Sequence, residues 1–306
     1  MGDPAIESLG PFWETVVNNC NVGREHKKSF IPFKLEGEIL GYIHPRFWER
    51  IKRFEKIFFH DPGDLRIGTG NGWITLHPTC NSTGERTRQI DTILRLLENE
   101  KNITDWRNEL CPVVTRFDGH RYFSIERAAL PFFGIKCYGL HMNGFVRMNG
   151  KDFLWISRRS KKKKSFAGIM DNMVVAGQTP GGNCKEKLIQ KALAKANIPV
   201  HMAQKAVSCG HVSYEQCNGL KMKRDVIYCY DLELPPDFLP FNNDGDIEDF
   251  KLVSLADVAK LVCTPGQYKL NSALVVMDFL FRHGHIHPLQ AGYIRLHESL
   301  HSGDNH

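Results

Sequence analysis

The stretch AGQTPGGNCKEKLIQKALAKANI, residues 176–198, decides how this chain is read. Its first half, Gly177 to Gly182, is a Gly/Pro-rich turn. Its second half carries apolar residues at helical spacing, so the spacing predicts an amphipathic helix entered from that turn. Lys187, Lys191 and Lys195 recur every four residues and therefore share one helical face. No Asp or Glu stands anywhere between Glu186 and Glu215. Glu186 falls in the first turn of the helix, where an acid is favoured by the helix dipole in any protein.

The neighbouring segments widen the reading. Upstream are LWISRRSKKKK (154–164) and GIMDNMVVAG (168–177); downstream are RDVIYCYDLELP (224–235), NNDGDIEDFKL (242–252) and ALVVMDFLFRHG (273–284), with WRNELCPVV (106–114) nearer the middle. Together these segments resemble the Nudix hydrolases, in particular plant chloroplast Nudix proteins and the Nudix part of fungal thiamine pyrophosphokinase fusions. The resemblance runs from about Phe12 to Asp304. It implies an α/β fold: an α/β/α sandwich with a mixed sheet over residues 136–306, preceded by a smaller α+β domain over residues 1–135. It also implies a small-molecule diphosphate ligand, either a thiamine diphosphate analogue or an oxidised nucleoside diphosphate such as 8-oxo-dGDP, and Mg²⁺ as the cofactor of any active member.

The family's metal is held by glutamates one helical turn apart, because paired cations neutralise the phosphates and activate water. With the glycine of the motif at Gly177, those positions fall on Lys191, Ala194 and Lys195, and none of the three can hold a divalent cation. Hydrolysis is therefore expected to be weak or lost, and the chain to be a pseudoenzyme. The alternative is an active hydrolase that draws carboxylates from elsewhere: Glu186, Asp171 or Glu215. An ammonium group can meet a phosphate directly, so Lys191 and Lys195 are candidate phosphate ligands in place of the metal. The same lysines also read as the solvated face of an ordinary surface helix. Arg158, Arg159, Asp171, Asn172 and Gly177 complete the candidate binding set: the arginines as a phosphate-attracting rim or part of a basic loop between two strands, Asp171 and Asn172 as groups facing the cleft or capping a strand end. Glu186 is the weak candidate for a metal ligand.

Composition sets the remaining bounds. With 306 residues, 42% apolar, the chain can bury a full core and is long enough for two domains. Much of the net charge of +6 is local to the 158–164 run and is not by itself evidence of nucleic-acid binding, so no nucleic-acid partner is expected. No run of about twenty apolar residues exists, which argues against a membrane span. The start, MGDPAIESLG, has no signal layout, and nine scattered cysteines with no CxxC pair suit reduced thiols. These features predict a cytoplasmic protein, and the resemblance adds a possible homodimer.

Local patterns predict helices over 6–19, 47–59, 83–98, 255–261 and 268–281. Alternation predicts strands in 30–45, a hairpin of KCYGLHMNGFVRM and DFLWISRRS around 148–151, and further strands in AVSCGHVSYEQC and DVIYCYDLEL. GTGNG (68–72) is a turn signal without the context of a nucleotide loop. His283, His285 and His287 alternate as a metal site would require, yet a chance surface cluster explains them as well. Asp244, Asp246, Glu248 and Asp249 form an acidic loop without EF-hand spacing, placed near the cleft. Trp106, Arg107 and Glu109 are expected to bridge the two regions, with Arg107 and Glu109 as an interface pair.

Overall fold

The computed structural model describes residues 6, 8–18, 20–62 and 72–303. Most of the GTGNG turn lies outside them. In the first part, α1 (Gly10–Trp13) passes into a π-helical turn, Glu14–Asn18, and α2 (Gly23–His26) leads into β1 (Ile31–Leu35) and β2 (Glu38–Ile43). The β1–β2 turn uses Glu36 and Gly37, both at positive φ, as a tight antiparallel connection requires. Then come α3 (Pro45–Ile51), β3 (Phe58–Asp61), β4 (Trp73–Leu76), α4 (Thr83–Asn99), β5 (Leu110–Val113) and β6 (Phe123–Glu126). Four strands form one sheet in the order β2-β1-β4-β3, and β5 pairs with β6 separately. Phe33, Phe47, Phe58, Phe123 and Phe133 are fully buried together with Ile90, Leu94 and Leu97 of α4. Each buried ring contributes about 1.5–3 kcal/mol relative to exposure.

Two expected helices are shorter than the periodicity suggests. The helix over 47–59 stops at Ile51, because Phe58 to Asp61 pair with Leu76 to Trp73 as an edge strand and their backbone groups go to that ladder. The N-terminal helix over 6–19 becomes one α-turn continued by a π-turn. Its apolar residues Ile6, Leu9, Phe12, Val16 and Cys20 pack with the core of the second sheet. The helix expected over 83–98 is α4, whose Ser82 side chain accepts from Glu85 N at 3.2 Å and satisfies an end donor.

The second part contains β7 (Lys136–Met148), β8 (Lys151–Arg159), β9 (Met170–Asn172), β10 (Val174–Gly177), α5 (Cys184–Ala196), α6 (Val200–Ala203), β11 (Val207–Asn218), β12 (Lys221–Glu233), β13 (Ile247–Ser254), α7 (Leu255–Cys263), α8 (Leu270–Arg282) and α9 (Tyr293–Leu300). The sheet runs β11-β12-β7-β8-β13, with β10 on β7 and β9 on β8. It is mixed: β7 and β12 are parallel, the other neighbours antiparallel. The β7–β8 hairpin turns through Asn149 and Gly150, both at positive φ. Strand alternation separates two faces. Leu140, Met142 and Val146 join Leu188, Ala192 and Ala196 of α5 in one core, whereas Phe145, Leu154 and Ile156 meet α7 and α8 in the other. Helices thus cover both faces of the sheet, which is the expected three-layer α/β/α sandwich.

The two sheets are joined by backbone as well as side chains. Tyr42 N donates to Phe133 O at 2.9 Å, and the buried Arg224 donates to Gly134 O at 2.9 Å. A side chain at Gly41 would bring a Cβ within 2.1 Å of Phe133 O, so close approach requires glycine there.

Candidate functional site

β10 delivers the chain to the turn that precedes α5. Gly177 lies opposite Gly139 of β7, and Gln178 N donates to Tyr138 O at 2.9 Å. The Gln178 amide folds into the turn and donates to Gly182 O at 2.9 Å and Thr179 O at 3.1 Å. Asn183 caps α5: its Oδ1 accepts from Glu186 N at 3.1 Å, and its Nδ2 donates to Glu186 Oε1 at 2.9 Å. Glu186 is therefore spent on a reciprocal cap. The helix ends at Asn197 in the left-handed conformation.

The three lysines of α5 meet different surroundings. Lys195 is buried, and its Nζ binds both Asp244 Oδ2, at 3.2 Å, and Asp246 Oδ2. Asp246 is shared, since Lys163 Nζ binds its other oxygen. The segment carrying these acids is tied to the end of α5 by Asn243 N to Ala194 O at 3.2 Å and Asn243 Nδ2 to Leu193 O at 3.1 Å. Burial alone would raise the Asp246 carboxyl. The ammonium groups of Lys163 and Lys195 outweigh it and hold the group below the usual carboxylate range. Lys195, expected to meet a ligand phosphate, is thus already neutralised by protein carboxylates. Lys187 and Lys191 are half-buried and form no ion pair among the described residues.

The basic run and the acidic loop find each other. Besides Lys163 with Asp246, Lys161 reaches Glu248 at 3.7 Å and Arg158 reaches Asp249 at 3.3 Å. Arg158 also donates to Gly168 O at 3.1 Å, and Arg159 to Phe166 O at 2.8 Å and Ser165 O at 3.1 Å. Both arginines, expected on a phosphate rim, fasten the 160–168 loop instead, because its carbonyls and the nearby carboxylates take up their donors.

Asp171 and Asn172 point away from α5. Asp171 is buried among Arg159 Nη1 at 2.9 Å, Lys269 Nζ at 3.5 Å and the Ser272 hydroxyl at 2.5 Å. Burial would raise this carboxyl too, but Lys269, His141, Ser272 and Arg159 together lower it. Asn172 bonds His141 Nδ1 at 2.9 Å and Asn143 Oδ1 at 3.1 Å, and Asn143 donates to Asp231 at 3.0 Å. His141 and Asn143 alternate with Leu140 and Met142, so they occupy the α8 face. The polar chain continues there through Asp231 to Arg282 and His283, which holds Asp231 down to about 2 against the effect of burial. The expectation that Asp171 and Asn172 face the cleft is corrected by these contacts: Asp171 is held by Lys269 and Ser272, and Asn172 by His141 and Asn143.

The alternative carboxylates do not converge. Glu186 caps α5, Asp171 lies under α8, and Glu215 is buried between Lys27 Nζ at 2.9 Å and Arg224 Nε at 3.5 Å. Among the described residues no three His, Cys, Asp or Glu side chains could share a metal ion. The histidine trio is dispersed likewise: His283 faces Asp231, His285 faces Asp152 at 3.4 Å, and His287 accepts from Leu289 N. Glu109 pairs with Arg127 at 2.8 Å rather than with Arg107, whose Nε donates to Asp105 O. Trp106 does link the regions, accepting through its carbonyl from Lys164 at 3.3 Å.

Two features escaped sequence reasoning. The Arg127 guanidinium sits against Gly177, within 3.4 Å of where a Cβ would stand. Three half-buried rings also meet near the glycine turn: Tyr138 and Tyr228 lie nearly parallel, at 12° and 6.4 Å, and Phe117 stands edge-on to both at 5.2 and 5.1 Å. Tyr138 and Tyr228 share the α5 face by strand alternation, which the sequence did show. Phe117 comes from a loop far upstream, and no local signal places it there.

Residues 13–137 match a family model described as a domain of unknown function, DUF4743. The chain is 41% identical over 296 residues to Nudix hydrolase 20, chloroplastic, of Arabidopsis thaliana, covering 97% of this chain and 79% of that protein. It is 40% identical over 288 residues to Nudix hydrolase 24, chloroplastic, of the same plant, covering 94% and 77%. Among solved structures, the NUDIX domain of Shewanella oneidensis NrtR complexed with ADP ribose aligns with a TM-score of 0.38 at 14% identity, covering 49% of this chain and 90% of that one. Both plant relatives are chloroplastic, which overturns the cytoplasmic expectation drawn from the N-terminus and the cysteines. With two relatives at this identity aligned along nearly all of its length, the chain belongs to the Nudix hydrolase family.

Proposed function

We propose that this chain binds a small molecule carrying a diphosphate, a thiamine diphosphate analogue or an oxidised nucleoside diphosphate such as 8-oxo-dGDP, in the cleft between the Gly177 turn, α5 and the Tyr138–Tyr228 surface, and that hydrolysis there is weak or lost. Nudix hydrolases generally use a divalent metal such as Mg²⁺. The donor chemistry at this helix does not fit one: Lys191, Ala194 and Lys195 offer no carboxylate, and the nearest acids, Asp244 and Asp246, are bridged by ammonium groups. The observation that carries the reading is Lys195, a buried cation between two carboxylates at a position where the family places a metal-binding acid.

Binding has support of its own. Lys191 is a cation on α5 with no ion pair among the described residues, and an ammonium group can neutralise a phosphate oxygen as a point charge. The half-buried rings of Phe117, Tyr138 and Tyr228 suit a flat heteroaromatic group. The test is incubation with oxythiamine diphosphate or 8-oxo-dGDP and Mg²⁺, followed by product analysis and calorimetry. Binding that EDTA leaves unchanged and Lys191→Glu weakens, without release of phosphate or monophosphate, is expected. Magnesium-dependent turnover would reject the loss of hydrolysis, and affinity indifferent to Lys191→Glu would reject the role of that lysine.

A further inference from the structure

A cavity of about 810 Å³ lies between the first sheet and the ends of β7, β11 and β12. Its walls share no residue with the Gly177 turn or α5. β2 supplies Glu38 to Leu40 and Tyr42, the 114–122 loop supplies Thr115, Arg116, His120 and Tyr122, and the long sheet supplies Lys136, Glu215 and Arg224, with Lys27 at one side. The region matching DUF4743 therefore builds most of one wall, and the Nudix sheet builds the other.

The charges of this lining are unequal. Lys27, Arg116, Lys136 and Arg224 stand against Glu38 and Glu215, a surplus of two positive charges among the described residues. Several are fixed in place: Lys27 and Arg224 converge on Glu215 and flank the Tyr42 ring at 4.6 and 4.9 Å, and Lys136 donates to Thr115 O at 3.1 Å. Lys136, Glu215 and Arg224 are each buried, at 6%, 3% and 3% exposure. Holding charges out of water is unfavourable unless close counter-charge offsets it. Arg116 is exposed and has no ion pair among the described residues. An anion entering past Arg116 would meet a preset, net positive lining.

Size and surface narrow the class. The volume falls within the range of about 300–1,000 Å³ usual for small-molecule sites, which also favour domain junctions. Inorganic phosphate alone would leave most of it empty, while the Tyr122 ring and the His120 ring, 5.1 Å from it, offer a surface for a planar group. We infer that this interdomain cavity is a binding site, distinct from the α5 cleft, for a dianionic phosphomonoester bearing an aromatic ring, of the size of a nucleoside monophosphate. This cavity shares no lining residue with the proposed diphosphate cleft, so occupancy of one does not require occupancy of the other.

The test uses the full chain with AMP and inorganic phosphate as probes, titrated calorimetrically, and amide hydrogen exchange to locate the ligand. AMP is expected to bind more tightly than phosphate and to protect residues 38–42 and 114–122. Arg116→Glu, at an exposed position that leaves the core intact, is expected to weaken AMP about tenfold, or 1.4 kcal/mol, and Lys191→Glu to leave it unchanged. No binding of AMP, protection confined to residues 177–196, or loss of AMP binding in Lys191→Glu with none in Arg116→Glu would each overturn the assignment.

Discussion

Replacing Lys195 by Met tests the charge arrangement on α5 directly. Methionine keeps most of the lysine stem, so apolar packing changes little and the ammonium group is what is removed. The Lys195 side chain is 10% exposed, and it serves Asp244 and Asp246, at 26% and 35%. Hydrogen bonds to charged groups contribute about 1.5–3 kcal/mol each. Both carboxylates retain part of their hydration, and Asp246 keeps Lys163, so the two bonds together are discounted to about 2 kcal/mol. For a unit of this size that corresponds to a fall in Tm of about 4–8 °C. The pH dependence has a definite sign. Asp246 is held below the ordinary carboxylate value of 3.8, so its contribution is present above the unfolded pKa and lost as pH falls through the folded one. The difference between wild type and Lys195→Met should therefore be full at neutral pH and shrink below about pH 4. Differential scanning calorimetry across pH, with a double-mutant cycle to Asp246→Asn, measures it. A variant as stable as wild type at pH 7, or a cycle with no coupling, would refute the claim that Lys195 is committed to these acids.

Three further outcomes are expected. Lys195→Glu gathers three carboxylates at one place, so the variant should be less stable than Lys195→Met in EDTA and should gain Tm on addition of Mg²⁺, read by thermal unfolding; absence of a Mg²⁺ response would show that the three oxygens do not converge. His141 is lowered from 6.5 to about 4, chiefly by burial and then by Lys269. It therefore stays neutral in the fold while the unfolded chain takes up a proton below pH 6.5, and stability should fall by roughly 3 kcal/mol between pH 6.5 and 4; in His141→Gln that part of the urea-denaturation profile should flatten. Phe117→Ala should weaken a ring-bearing diphosphate by about 1–3 kcal/mol if stacking holds the ring and leave inorganic diphosphate unaffected, as calorimetry with both ligands will show.

What could be read from sequence was what local rules govern. The turn and α5 follow from glycine, proline and apolar spacing, α4 from its period, and the β7–β8 hairpin from alternation around the 148–151 turn. The helix over 47–59 was over-read because Phe54 and Phe58 continue an apolar stripe, while the edge-strand partner that claims Phe58 lies at Leu76. β13 was hidden for a related reason: its acids suggest a loop, yet it is an edge strand that pairs only with β8, and its exposed acids meet the basic run of the neighbouring loop. The surroundings of Asp171 and Asn172 are not legible locally, because the partners that hold them, Lys269 and Ser272 for one and His141 and Asn143 for the other, lie about 30 to 100 residues away in the chain.

The reading of α5 itself turned on a contact no local pattern contains. Lys195 and Asp244 are 49 residues apart, and Lys163 and Asp246 are 83 apart. From the helix alone, a row of lysines is equally a phosphate surface and a solvated face. The fold divides the row: Lys195 is turned inward to a carboxylate pair, and Lys191 is left with no ion pair among the described residues. A buried lysine without the two aspartates would be a charge held out of water with no counter-charge. Conversely, the two aspartates without Lys163 and Lys195 would repel each other where the loop crosses the end of the helix. The acids and the lysines therefore make sense only as a set. The sign of the charge on α5 and the sign of the charge on the 242–249 loop are one structural fact, and exchanging either alone should destabilise the fold more than exchanging both.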